Sequence, residues 1–189
     1  MPLSFRVRVR NRLSQPACLV LEPWCRVCTL EPGGVTDIEV EGPEKNEVVN
    51  GKSVRGDGGF FPVELDAQSL VLWGWGRSNL DFVTPPVPPS VTVPPKPVSR
   101  FNLRLENARK TPARMLFEPG ARVVLFKAEA SEGRRVNVRE ILDIEVRISG
   151  AQRESSIPVM ELDLDEQGLV VRMNESLCSV EHFGDVTKH

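Results

Sequence analysis

Residues Asn11 to Trp24 read NRLSQPACLVLEPW. The stretch divides into turn chemistry from Asn11 to Pro16, a short apolar run from Ala17 to Leu21, and a Glu22-Pro23-Trp24 corner. A five-residue apolar run bounded by turn residues is the mark of a strand, not a helix. Pro23 has no N–H to give to a ladder and should end that strand. Upstream, Phe5, Val7 and Val9 alternate with Arg6, Arg8 and Arg10, the period-two pattern of a half-buried strand with one basic face. Downstream, Val27 to Leu30, Val35 to Val40, Phe60 to Leu65, Leu70 to Trp75 and Leu80 to Val83 read as further strands. Pro32-Gly33, Gly42-Pro43 and Asn50-Gly51 supply turns between them. No sustained helical period occurs.

A second stretch, NARKTPARMLFEPG from Asn107 to Gly120, echoes the first. A shift of 96 residues carries Arg8, Asn11, Pro16, Ala17, Glu22, Pro23, Arg26 and Val27 onto identical residues, eight of the 21 positions from Val7 to Val27. Farther on, Asp37 to Val40 finds Asp143 to Val146, Pro62-Val63 finds Pro158-Val159, and Leu70-Val71 finds Leu169-Val170. Self-similarity of this kind reads as a tandem duplication, with two copies being too few for a solenoid. The expectation is an all-β protein of two tandem small sandwich-like or barrel-like domains, 1–84 and 100–189. A proline-rich spacer of polyproline character (85–99) would join them.

The run Leu21 to Trp24 (LEPW), with Leu30 to Gly33 (LEPG) and the alternating Val35 to Val40 (VTDIEV), resembles a group of small bacterial β-domains of uncharacterised function. Cys25 departs from the glycine usual after the tryptophan, and the second copy has Gly120 in place of the tryptophan. The resemblance implies a cupredoxin-like or immunoglobulin-like sandwich and carries no activity with it.

The formal charge of −2 argues against nucleic-acid binding, which asks for a net basic face. The N-terminal MPLSFRVRVR lacks the apolar core of a signal peptide, and no apolar run approaches a membrane span. These features predict a cytoplasmic protein with reduced cysteines.

Chemistry-bearing patterns are sparse. Cys25-Arg26-Val27-Cys28 is a CxxC with Cys18 nearby, but a zinc site needs two such pairs or added histidines. The positions matching Cys18, Cys25 and Cys28 are Arg114, Ala121 and Val124, so the fold does not require cysteine there. A copper site would need two histidines beside a cysteine, and Cys178 has only His182 and the terminal His189 in its half. The acidic Asp163, Asp165 and Glu166 read as a solvated turn. Arg55-Gly56-Asp57 reads as part of a glycine-rich loop. No catalytic motif surrounds His182. Neither catalytic nor metal-ligating residues nor a cofactor are therefore assigned.

The functional lead is aromatic. Trp24, Trp73 and Trp75 all fall in the first half, and Trp73 and Trp75 share a face if that strand stays extended. With Arg26 they make the candidate binding residues. Tryptophan is enriched at interface hot spots, so the expected activity is non-catalytic protein interaction, through this face or through an exposed sheet edge. A small-ligand or carbohydrate platform is the first alternative and a cysteine-based metal or redox site the second.

Overall fold

The computed structural model describes residues 2–43, 48–49, 52–53, 59–83, 99–118, 120–132, 136–148 and 157–188. Of the proline-rich spacer expected at 85–99, residues 85–98 lie outside these residues. So do Arg55-Gly56-Asp57 and Pro119.

The first half forms β1 (Pro2–Asn11), β2 (Ala17–Glu22), β3 (Arg26–Leu30), β4 (Val35–Pro43), β5 (Val48–Val49), β6 (Lys52–Ser53), β7 (Phe60–Leu65), β8 (Ser69–Trp73) and β9 (Asn79–Val83). The second half forms β10 (Ser99–Asn107), β11 (Ala113–Glu118), β12 (Arg122–Phe126), β13 (Ala130–Glu132), β14 (Val136–Val138) and β15 (Glu140–Ile148). It ends with β16 (Met160–Asp165), β17 (Gly168–Met173), β18 (Cys178–Phe183) and β19 (Thr187–Lys188). No helix occurs among the described residues. Each strand expected from alternation is present, and β2 stops at Glu22 before Pro23.

The strands build two large mixed sheets, neither closed into a barrel, and two small two-stranded sheets, β5-β6 and β13-β14. One large sheet runs β12-β11-β17-β16-β1-β4-β9 and the other β18-β15-β10-β7-β8-β2-β3, with β19 beside β15. Each large sheet takes strands from both halves. The seams are parallel: β1 lies along β16 with Val9 opposite Leu162, and β10 lies along β7 with Leu105 opposite Val63. Exchanging each strand for its counterpart in the other half turns one sheet order into the reverse of the other, the arrangement of an approximate two-fold.

Side chains at odd positions of β1 and β10 point inward and join one hydrophobic cluster that draws on both halves. Phe5 stacks on Phe101, its counterpart from the other sheet, at 4.5 Å between ring centres. Burying each large apolar side chain of this kind contributes about 1.5–3 kcal/mol, so the stabilising contacts cross the boundary between the segments 1–84 and 100–189.

Polar contacts repeat as well. Arg8 grips Asp37 with two hydrogen bonds of 2.8 and 3.0 Å, and Arg104 grips Asp143 at 2.7 and 2.8 Å. These bonds raise both guanidinium pKa values above the ordinary arginine range. The buried Asn11 donates to the carbonyls of Gln15 and Leu30 and accepts from the Leu13 amide. Asn107 does the same with Thr111, Lys127 and Arg109. One sequence match is corrected by the registers. Val9 and Leu105 are equivalent, so the counterpart of Val63 is Leu162, not Val159, and that of Pro62 is Glu161. Thus Leu65 to Trp73 (LDAQSLVLW) corresponds to Leu164 to Arg172 (LDEQGLVVR), and Trp73 to Arg172.

Candidate functional site: the outer face around Trp73

Alternation along β8 sends Leu70 and Leu72 into the core and Val71 and Trp73 outward. Trp73 keeps 38% of its surface exposed. Parallel pairing sets it beside Glu22, the last residue of β2. On the other side, β7 presents Phe60, Pro62 and Glu64, and a groove of about 320 Å³ runs between them and Trp73, with Glu106 at its end. Arg104 lies over the Phe60 ring at 4.2 Å from its centre. Next along the face, Val71 adjoins Val20, and Val20 adjoins Val27 on the edge strand β3, where Val27 is 60% exposed.

Trp75 also lines this groove, but the three tryptophans differ in exposure. The strand ends at Trp73, where the Gly74 amide bonds to the Glu22 carbonyl at 2.8 Å. The chain then turns, the Ser78 amide bonding to the Trp75 carbonyl, and Trp75 is buried with 6% exposure. Its ring fills the space above Gly42, where a Cβ would stand 2.7 Å from it. Trp24 is half-buried and lies over Gly74, where a Cβ would stand 2.5 Å from the ring. Two tryptophans therefore buttress the turn, and the third is presented. Arg26 is exposed at the edge and forms an ion pair with Asp81 of β9, tying the two sheets together at one corner.

The equivalent region of the seven-stranded sheet is ionic. Arg172 stands in the place of Trp73, donating from Nε to Glu118 at 2.5 Å and from Nη1 to the fully buried Asp163. Arg12 reaches the same Asp163 oxygen at 2.5 Å. Glu118 and Asp163 are the counterparts of Glu22 and Glu64. At the matching positions the first half has the carboxylates Glu22 and Glu64, and Trp73 where the second half has Arg172. Glu64 is paired instead with Arg139 at 3.0 Å. The Cys25 thiol donates to Glu22 at 3.5 Å.

The seam opens into a second hollow of about 470 Å³, lined by Glu64, Asp66, Arg109, Lys110, Glu129 and Arg139 among others. With Glu166 also in the lining, carboxylates and cations are interspersed there. Glu129 is buried, and hydrogen bonds from Lys110 and then Arg139 hold its carboxyl below the usual range. Burial draws the Arg109 guanidinium below its ordinary value.

The cysteines are separated by the fold. Cys28 stands opposite the core residue Leu19, whereas Cys18 stands opposite Thr29 on the other face of the same strand pair. Cys25 is exposed in the turn with a positive φ of 50°, and the neighbouring Glu22 raises its pKa. Cys178 is buried, bonds to the Val159 carbonyl at 3.1 Å, and has its pKa pushed up to about 11 by burial. Among the described residues no group of three or more His, Cys, Asp and Glu is placed to hold a metal ion.

No family model, curated protein or solved structure matches the chain. No helix among the described residues is long and apolar enough to cross a membrane.

Proposed function

We propose that the protein is a non-catalytic protein-interaction module, formed by tandem duplication of one β-rich unit. Its binding surface is the outer face of the eight-stranded sheet around Trp73. The observation that carries this reading is the asymmetry between the halves. Where the seven-stranded sheet has Arg172, Asp163 and Glu161, the eight-stranded sheet offers Trp73, Glu64 and Pro62, while the valine row beside them has its match in Val170, Leu116 and Val123. An exposed indole next to an apolar row and a groove is the composition of an interface centre. Duplication explains why Glu22 and Glu118 match, while Trp73 is particular to one half.

Photo-crosslinking tests the reading. A photoreactive phenylalanine analogue is placed at position 73, and separately at position 116 on the outer face of the other sheet. The proposal expects discrete protein adducts from native extract at 73 and none at 116. Equal labelling at both positions, or no adduct at either, refutes it.

A further inference from the structure

The second half shows what fits between the two matching carboxylates: a guanidinium. Arg172 occupies that place and bonds to Glu118 on one side and Asp163 on the other. In the first half the place is taken by an exposed ring, and the Cys25 thiol, a weak donor, bonds to Glu22. Glu64 and Glu106 line the groove, and both are already paired with Arg139. The same fold twice lays an arginine on an aromatic ring, Arg104 on Phe60 at 4.2 Å and Arg122 on Phe183 at 4.3 Å. An indole is the strongest such platform, and arginine suits it better than lysine because its plane stacks while its fork reaches a carboxylate.

We propose that the Trp73 face receives an arginine side chain from a protein partner. The guanidinium lies over the indole and donates to Glu22, in the position Arg172 holds relative to Glu118. This inference rests on the interaction reading above and names the chemistry of the partner. The valine row of Val71, Val20 and Val27 runs beside that pair. The fitting segment is therefore extended, with apolar residues two positions from the arginine on the same side.

The probe is the peptide acetyl-Val-Thr-Arg-Thr-Val-amide, titrated into the full-length protein at low salt by calorimetry and tryptophan fluorescence. Two further peptides replace arginine with lysine or with citrulline, which keeps the shape and removes the charge. The expected result is saturable binding of the arginine peptide, with the citrulline peptide weaker by about tenfold or more, the loss of one charge-assisted contact. Glu22→Gln should weaken the arginine peptide by a similar factor. Trp73→Arg, which copies the second half, should abolish binding, and both variants should melt cooperatively as the parent does. No saturable binding by a folded parent protein, or equal binding of the citrulline peptide, overturns the inference. Crosslinks at position 73 that survive Glu22→Gln and an excess of the arginine peptide also overturn it, yet leave the interaction face standing.

Discussion

Replacing Asn107 with alanine tests whether the two halves form one cooperative unit. Asn107 is fully buried and makes three hydrogen bonds to backbone groups, donating to the carbonyls of Thr111 and Lys127 and accepting from the amide of Arg109. At about 1 kcal/mol net for each bond, Asn107→Ala should cost about 3 kcal/mol. For a chain of this size that is a fall in Tm of about 6–12 °C. Asn11→Ala should cost nearly the same, since Asn11 makes the equivalent three bonds. The readout is decisive because Trp24, Trp73 and Trp75 all lie in the first half. Tryptophan fluorescence therefore follows the first half, and far-UV circular dichroism follows both. If both sheets are shared, Asn107→Ala must lower the urea midpoint seen by fluorescence as much as the one seen by dichroism. A fluorescence midpoint that stays at the parent value while dichroism splits into two steps would refute the shared core.

Three further outcomes follow from local chemistry. Glu129 has a depressed folded pKa, so its contribution is present above the ordinary value of 4.5 and lost as pH falls below it through the folded value. Glu129→Gln should flatten that part of the urea midpoint profile between pH 7 and 3, and an unchanged slope contradicts it. Gly74→Ala places a Cβ against the Trp24 ring and Ser78 Oγ. It should cost about 1–3 kcal/mol by overpacking and shift tryptophan emission to the red, whereas an unaltered spectrum would show that the ring does not seal the turn. Glu22 raises the Cys25 pKa through a hydrogen bond first and its charge second. Glu22→Gln should therefore raise the thiolate fraction and speed labelling of Cys25 by a disulfide reagent near pH 8, while Cys178 stays unlabelled until the protein unfolds.

Alternation and turn chemistry made the strands legible because they are local signals. Phe60 to Leu65 was readable to the residue, and Pro23 marked the end of β2. Pairing was not legible. That β1 lies along β16 depends on contacts between residues more than 150 positions apart, and nothing in either strand names the other. The match of Pro62-Val63 with Pro158-Val159 failed because a chance dipeptide identity outweighed register. The longer comparison of LDAQSLVLW with LDEQGLVVR holds the correct frame. That comparison could also have paired Trp73 with Arg172 and so set Trp73 apart. Trp75 lines the Trp73 groove but is buried, because the strand ends at Trp73 and does not run on to it. Gly74 and Gly76 were the available sign of the turn that buries it.

The parallel seams also bear on how the protein is made. The β16 flank of β1 has no partner until Met160 to Leu164 exists. At about 5–20 residues per second, that wait is on the order of ten seconds or more. Until then the β1 flank stays open, and the β7 flank stays open until Asn102 to Asn107 of β10 exist. A ribosome that stalls in the middle of this message would release a chain with strand edges exposed to pairing with its neighbours.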